Sequence, residues 1–218
     1  MTENRLSPVA YSAPMVTFGA FTALETWVPV AYYPLVYILK VLAVTASLMV
    51  WSGPLRDIRP RWSLVIPSAL TGLVVIAAWL VLDKAVAYPH LGNRVGFDPT
   101  SMQTTGGRLA FLAVRLYGLV LLVPVMEELF WRSFLLRYLS SGNFLAVPIG
   151  RFSVQALMVM VALSALSHTE WLVAALASII FAAWLYRSRS LFAAVVAHAT
   201  ANAALGAYIL QAHDWKYW

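Results

Sequence analysis

The sequence predicts an all-α fold, a polytopic transmembrane bundle of about seven helices, and two features of the chain carry that prediction. Of its 218 residues, 61% are hydrophobic and 11% are charged. Soluble domains carry roughly 25% charged residues, so this chain has too few to cover a surface that faces water. Long apolar stretches also recur from end to end, and about 20 apolar residues suffice to cross the hydrocarbon core of a bilayer.

Proline, glycine and polar residues separate the apolar stretches, and each separation predicts a helix boundary. Pro29 divides the first two stretches, Gly53 and Pro54 follow the second, and the polar segment 83–105 follows the third. Gly142 follows the fourth stretch, which is too long for one upright span and should tilt or run along the interface. The predicted helices are 11–28, 31–51, 62–82, 106–139, 150–168, 171–187 and 190–211.

The remaining composition excludes several classes of protein. The chain has no repeat and no soluble segment, so residues 1–218 are expected to form a single integral membrane domain. Cysteine is absent, which excludes disulfides, thiolate metal sites and a cysteine nucleophile. The net charge of +6 comes mainly from arginines near helix ends, so we expect membrane lipid as a partner and no nucleic acid.

The distribution of basic residues predicts how the chain is oriented. One set of connections carries most of the arginines, and cytoplasmic connections are rich in Lys and Arg. This set contains Arg5, Arg56, Arg59, Arg61, Arg137, Arg151, Arg187 and Arg189, and the opposite set contains Lys84, Arg94, Arg108 and Lys216. The N-terminus is therefore expected in the cytoplasm, and seven spans would place the aromatic C-terminus, "HDWKYW", at the opposite interface.

Three charged residues lie inside the fourth apolar stretch, in "PVMEELFWRSFLLRYL". A charge at the centre of a membrane helix costs about 2.5–3.5 kcal/mol on insertion scales. Glu128 and Arg132 are four residues apart and can pair on one helix face, which leaves Glu127 without a partner in its own helix. A structural ion pair beside one protonated carboxyl explains this pattern as well as a functional site does.

Polar residues on two further helices favour the functional interpretation. His168 ends the fifth apolar stretch, and His198 and Asn202 are four residues apart on one face of the last helix. A single membrane histidine is more often a packing residue. A carboxylate, a histidine and a His–Asn pair on three separate helices form a set that can converge on one site.

These residues resemble the motifs of the CAAX protease and bacteriocin-processing superfamily of intramembrane endopeptidases, which includes the type II CAAX prenyl proteases. The first motif is matched by Glu127, Glu128 and Arg132, the second by His168, and the third by His198 and Asn202. The second motif departs from the family pattern, because Ser164 stands where the family has Phe. The resemblance covers about residues 110–211, the motif-bearing core. Within the superfamily, the chain is similar to a bacterial, exosortase-associated branch. This similarity implies that the protein lies in the bacterial inner (cytoplasmic) membrane.

The chemistry of these groups, and the resemblance, imply hydrolysis of a peptide bond by an activated water. Glu127 is the expected general base, and His168 would hold the water or give a proton to the leaving amine. His198 and Asn202 would donate hydrogen bonds to the oxyanion. The catalytic set is thus Glu127, His168, His198 and Asn202, while Glu128 and Arg132 would position the helix and tune Glu127.

Three alternatives stay open on the sequence alone. No metal is favoured, yet Glu127, His168 and His198 are plausible zinc ligands in type. A proton-coupled membrane carrier would also use intramembrane Glu and His residues. A catalytically inactive scaffold that binds transmembrane segments is the third. For the enzyme, we expect a peptide or membrane-protein substrate.

Overall fold

Seven helices make up most of the chain in the computed structural model, which describes residues 6–92 and 96–218. The predicted all-α architecture is confirmed, and no β-strand occurs within these two ranges. Arg5 and Arg94, used above for orientation, lie outside them. The helices are α1 (Pro8–Glu25), α2 (Tyr33–Val50), α3 (Val65–Ala85), α4 (Thr105–Ser140), α5 (Val154–Leu166), α6 (Trp171–Ser188) and α7 (Leu191–Ala212).

Five of these helices, α2, α3, α4, α6 and α7, are long and apolar enough to cross a membrane. The protein is therefore an integral membrane protein. Helix α5 is apolar but has only 13 residues. At about 1.5 Å per residue it is about 20 Å long, shorter than the hydrocarbon core of about 30 Å.

Serine caps explain why two helices begin later than the hydrophobic pattern predicts. The Ser153 hydroxyl accepts a hydrogen bond from the Ala156 backbone N–H at 3.3 Å, so α5 begins at residue 154 and not at 150. The Ser190 hydroxyl accepts from the Ala193 N–H in the same way at the start of α7. Such caps satisfy backbone donors that have no partner inside the helix.

Helix α4 has 36 residues and is about 54 Å long, so it exceeds one upright crossing, as the sequence predicts. It contains two π-helical segments, Gly118–Leu122 and Glu128–Leu135. Backbone hydrogen bonds in a π-helix run from residue i to i+5, and such segments are rare and frequent at functional sites. The second segment begins at the residue that follows Glu127.

Helices α3 and α7 pack closely because small residues face each other. A Cβ added at Gly72 would collide with the backbone carbonyl oxygen of Ala197 and lie 3.0 Å from the Thr200 Cβ. Small residues at a helix interface allow backbones to approach within a membrane. This contact fixes α7 immediately beside His198.

At one end of the bundle, Asp57 joins three parts of the chain. Its Oδ2 accepts hydrogen bonds from Tyr11 Oη (2.7 Å), Ser133 Oγ (2.6 Å) and Arg137 Nη2 (2.8 Å). Arg61, four residues after Asp57, donates through Nη1 to the Ser188 carbonyl at 2.8 Å. The α2–α3 connection is thereby tied to α1, to α4 and to the end of α6.

At the other end, Asp83 holds the loop after α3 and the C-terminal residues together. Tyr88 Oη donates to its Oδ1 at 2.7 Å, and Tyr217 Oη and Lys216 Nζ bind its Oδ2. Burial, with the Asp83 carboxylate, raises the pKa of both Tyr88 and Tyr217, so both stay hydrogen-bond donors. Tyr217 and Trp218 are buried within the bundle, where the sequence alone predicts an interfacial anchor.

Candidate active site

A polar cavity of about 40 Å³ lies between α3, α4, α6, α7 and the end of α5. Three of the four predicted catalytic residues line it: Glu127, His168 and His198. They are distant in sequence and come from three different elements. The cavity thus gathers the first, second and third motifs at one place.

The Glu127 carboxylate is free to act in this cavity. The side chain is 8% exposed, and it makes no hydrogen bond or ion pair with any residue in the described part of the chain. Glu128, its neighbour, is fully buried; its Oε1 contacts Arg132 and His198, and its Oε2 has no hydrogen-bond partner in the described part of the chain. The two adjacent carboxylates are therefore in different environments, and only Glu127 is available to a water molecule.

Glu128 holds two cationic or protonatable groups through one oxygen. Its Oε1 lies 3.2 Å from Arg132 Nη1 and 2.9 Å from His198 Nδ1. The pairing of Glu128 with Arg132 predicted from their spacing is present, although it lies in a π-helical segment. The bond to His198 was not predicted, and it links α4 to α7 across the base of the cavity.

The bond from Glu128 orients the His198 ring. With Glu128 as acceptor, Nδ1 carries a proton, and Nε2 has no partner among residues 6–92 and 96–218. Phe181 stacks on the ring at a centroid distance of 5.0 Å and an angle of 22°. A carboxylate on one ring nitrogen commonly fixes which nitrogen is free to react.

His168 lies in the turn after α5, because the helix ends at Leu166 and not at residue 168 as the sequence predicts. Its Nδ1 is 2.7 Å from the Ser164 carbonyl oxygen, which also accepts from the Ser167 backbone N–H at 3.2 Å at the end of α5. A carbonyl only accepts, so Nδ1 carries the proton and Nε2 is the free nitrogen. In this tautomer Nε2 can accept a hydrogen bond.

The depth of His168 follows from the length of α5. Because α5 is about 20 Å long, a start at one interface places the turn 167–170 inside the membrane region. Irregular backbone at that depth requires cover from protein. The loop after α3 supplies it, since Leu91 N–H donates to the Thr169 carbonyl at 2.9 Å and Trp171 Nε1 donates to the Pro89 carbonyl at 2.8 Å.

Asn202 is placed differently from the other three predicted residues. It is not among the residues that line the cavity. Its Nδ2 donates to the Leu119 carbonyl at 2.8 Å, within the first π-helical segment of α4. The assignment of Asn202 as an oxyanion donor stays a prediction. Its hydrogen bond to Leu119 also connects α7 to α4.

Two aromatic residues at the cavity were not identified from the sequence. Trp79 on α3 lies 6.3 Å from His168 between ring centroids, at an angle of 69°. Phe181 on α6 contacts His198 as described. Their helices are uniformly apolar, so no periodic signal separates these residues from aromatic residues that face lipid.

The donors of the zinc alternative are present but are not arranged as a ligand set. Glu127, His168 and His198 line one cavity, yet within the described ranges no group of three or more acidic or histidine side chains is close enough together to hold a metal ion. Three protein ligands are the usual number at a catalytic zinc. The geometry of this chain therefore offers a weaker fit to zinc than the residue types suggested.

Comparison with known families matches residues 109–204 to the family described as Type II CAAX prenyl endopeptidase Rce1-like. The matched stretch contains all three motifs and agrees with the superfamily identified from them. No curated protein and no solved structure matches the chain. The exosortase-associated branch stays a prediction.

Proposed function

We propose that this chain is an intramembrane endopeptidase with a water nucleophile, since residues 109–204 match the family described as Type II CAAX prenyl endopeptidase Rce1-like. The observation that carries the proposal is the free carboxylate of Glu127 in a cavity shared with two histidines whose other nitrogens are held. A base must reach its water, and Glu127 is the acidic residue lining the cavity that has no competing partner.

In the proposed reaction, the Glu127 carboxylate takes a proton from water as the water oxygen attacks the scissile carbonyl carbon. His168 positions that water, because its Nε2 can accept a hydrogen bond from it. The proton then passes to the leaving nitrogen as the C–N bond breaks, which regenerates the carboxylate. General acid–base assistance of this kind contributes about 10²–10⁴-fold.

The proposed role of His198 is to stabilise the oxyanion through Nε2. Donation from Nε2 requires a ring that carries both protons, since Nδ1 already donates to Glu128. Glu128 Oε1, which accepts from Nδ1, also lies 3.2 Å from Arg132 Nη1, so the ring and the guanidinium share one acidic partner. One donor to an oxyanion is worth about 2.7–4 kcal/mol in known hydrolases.

The size of the cavity limits what it can hold. Its volume of about 40 Å³ is far below the range of ligand pockets, about 300–1,000 Å³, but exceeds the roughly 10–15 Å³ that one water molecule needs. We propose that the cavity holds the attacking water, and that the scissile bond reaches it from a membrane-protein segment or peptide that stays largely in the surrounding lipid.

We propose that the site works without a metal. Extended dialysis against a chelator, followed by metal analysis and a cleavage assay, tests this. Unchanged turnover in protein with no detectable metal supports the proposal. Lost turnover that zinc restores would assign Glu127, His168 and His198 as ligands instead.

The location proposed for the protein is the bacterial cytoplasmic membrane, with its N-terminus in the cytoplasm. Arginine-rich connections meet at one end of the bundle, as the Arg61–Ser188 contact shows, and this end is expected on the cytoplasmic side. Labelling of single cysteines introduced at exposed positions of each end tests the orientation, because the natural chain has none.

The activity is tested by comparing protein termini in two sets of membranes. One set contains the wild-type protein and the other Glu127→Gln, which preserves the shape of the side chain but cannot act as base. New N- and C-termini that occur only with the wild type identify the substrate. Identical termini in both sets, at equal protein levels, would contradict the proposal.

A further inference from the structure

Two serines occupy the interior of the bundle beside the cavity. Ser164 on α5 is 3% exposed and Ser178 on α6 is 2% exposed. Leaving a buried hydroxyl without a partner costs about 1–3 kcal/mol. Each of the two hydroxyls has the other as a partner, because Ser178 Oγ donates to Ser164 Oγ at 2.7 Å.

Ser178 also connects this pair to the charged residues of α4. Arg132 Nη2 donates to Ser178 Oγ at 3.3 Å, while Arg132 Nη1 contacts Glu128. Ser178 is thus the neutral acceptor that satisfies one arm of a buried guanidinium. Arg132 Nε, by contrast, has no hydrogen-bond partner in the described part of the chain.

Hydrogen bonds and one ion pair connect the two cavity histidines in a single series of residues, with Ser164 taking part through both its side chain and its backbone. From one end to the other it runs through His198, Glu128, Arg132, Ser178, Ser164 and His168. The last link uses the backbone carbonyl of Ser164, which lies 2.7 Å from His168 Nδ1. Arg132, Ser164 and Ser178 also line the cavity, so this series forms part of its wall.

The position of Ser164 bears directly on His168. Ser164 is in the last turn of α5, and its carbonyl also accepts from Ser167 Oγ at 2.7 Å. Holding the Ser164 side chain against Ser178 therefore fixes the end of α5, the carbonyl and the ring that this carbonyl binds. A Phe at this position, as in the family motif, could not make the hydroxyl contact.

We propose that Ser178 and Ser164 are positioning residues that set the orientation of His168 relative to Glu127 by coupling the end of α5 to the Glu128–Arg132 pair. The catalytic part of this proposal rests on the proposed function. The structural part concerns the His168 ring alone and can be measured without any substrate.

The test uses ring nitrogen NMR of intact, ¹⁵N-histidine-labelled protein in detergent, together with kcat and KM for the peptide found by terminal comparison. Only four histidines need assignment. The variants are Ser178→Ala and Ser164→Ala. The second keeps the Arg132–Ser178 contact, so it still tests the proposal if Ser178→Ala fails to fold. Ser164→Thr restores a hydroxyl, and Ser68→Ala is the matched control, since Ser68 is a buried serine that accepts from Trp184 Nε1 at 3.0 Å outside the cavity.

We expect the wild type and Ser68→Ala to show a single His168 tautomer with the proton on Nδ1. In Ser164→Ala, the His168 ring signals should broaden or shift, and kcat should fall about 10- to 100-fold with little change in KM, because misplacement of a catalytic group acts on the chemical step. Ser164→Thr should recover most of kcat.

Unchanged His168 signals in both alanine variants would overturn the proposal, and so would altered signals with wild-type kcat. A wild-type protein that cleaves no peptide, while Ser164→Ala still alters His168, would refute the proposed function and leave the structural link standing. The two failures are therefore distinguishable.

Discussion

Two adjacent glutamates, Glu127 and Glu128, differ in what surrounds them, and the roles proposed for them rest on this difference. Glu128 is buried between Arg132 and His198, whereas Glu127 borders the cavity without a partner among the described residues. The sequence identified the pairing of Glu128 with Arg132, because four-residue spacing fixes neighbours on one helix. It could not identify the bond from Glu128 to His198, since that contact depends on how α7 packs against α4.

Removing Arg132 should destabilise the fold. Arg132→Ala leaves the Glu128 carboxylate buried beside no permanent cation, and breaking one side of a buried pair costs about 3–5 kcal/mol. Thermal unfolding of purified protein and the yield of folded protein measure the effect. Arg187→Ala, at an exposed arginine near the end of α6, is the control and should behave as the wild type. Equal midpoints for both variants would show that the pair does not stabilise the fold.

Asn202 should contribute to stability as well as to turnover. Asn202→Ala removes the donor to the partly buried Leu119 carbonyl, and the cost of leaving it unpaired should stay below the roughly 1–3 kcal/mol of a fully buried acceptor. If the amide also faces the oxyanion, kcat falls about 100- to 1,000-fold. A thermal midpoint equal to the wild type would rule out the bond to Leu119 as a stabilising contact, and unchanged kcat would remove Asn202 from the catalytic set.

At the scale of elements, the order and number of helices could be predicted from the apolar stretches, while three local features could not. The π-helical segments of α4 have no signal in residue type. Helix α5 is shorter than its apolar stretch, 150–168, because the Ser153 cap makes it begin at residue 154 and the turn 167–170 makes it end at residue 166. Trp79 and Phe181, the aromatic residues that line the cavity, cannot be distinguished in the sequence from other aromatic residues of membrane helices.

The close approach of α3 to α7 makes Gly72 sensitive to substitution. Gly72→Ala places a methyl group against the Ala197 carbonyl, so the helices must separate next to His198, and overpacking of this kind costs about 1–3 kcal/mol. We expect a lower thermal midpoint and reduced turnover. Gly19→Ala in α1 is the matched control, because nothing lies within 4 Å of the added Cβ. A Gly72→Ala variant as stable as Gly19→Ala would mean that the contact is looser than described.

At the scale of the whole molecule, the first hundred residues and the C-terminal tail support a site carried mainly by residues 109–204. Helix α3 provides Trp79 to the cavity, and the loop after it covers the turn that carries His168. The tail packs against Gly96, where a Cβ would collide with the Trp215 carbonyl, and Trp218 lies 5.3 Å from the buried Arg115 guanidinium. The sequence showed no motif in these parts because their contribution is shape and cover.

Removal of residues 215–218 should therefore weaken the fold. The truncation uncovers Asp83 and Arg115, which lose Tyr217 and Trp218 as partners. We expect a lower thermal midpoint and faster proteolysis of the loop after α3. Lys216→Ala is the mild comparison, because the Lys216 side chain is largely exposed. A truncated protein with wild-type midpoint and protease resistance would show that the tail is dispensable.

The central claim, that Glu127 activates water for peptide hydrolysis, is tested most directly in proteoliposomes assayed for both peptide cleavage and proton flux. The wild type should cleave the peptide, Glu127→Gln should retain the thermal midpoint and lose cleavage, and neither should carry protons. Near-normal cleavage by Glu127→Gln would contradict the assignment of the base. Proton flux that disappears in Glu127→Gln, without any cleavage product from the wild type, would identify a carrier instead.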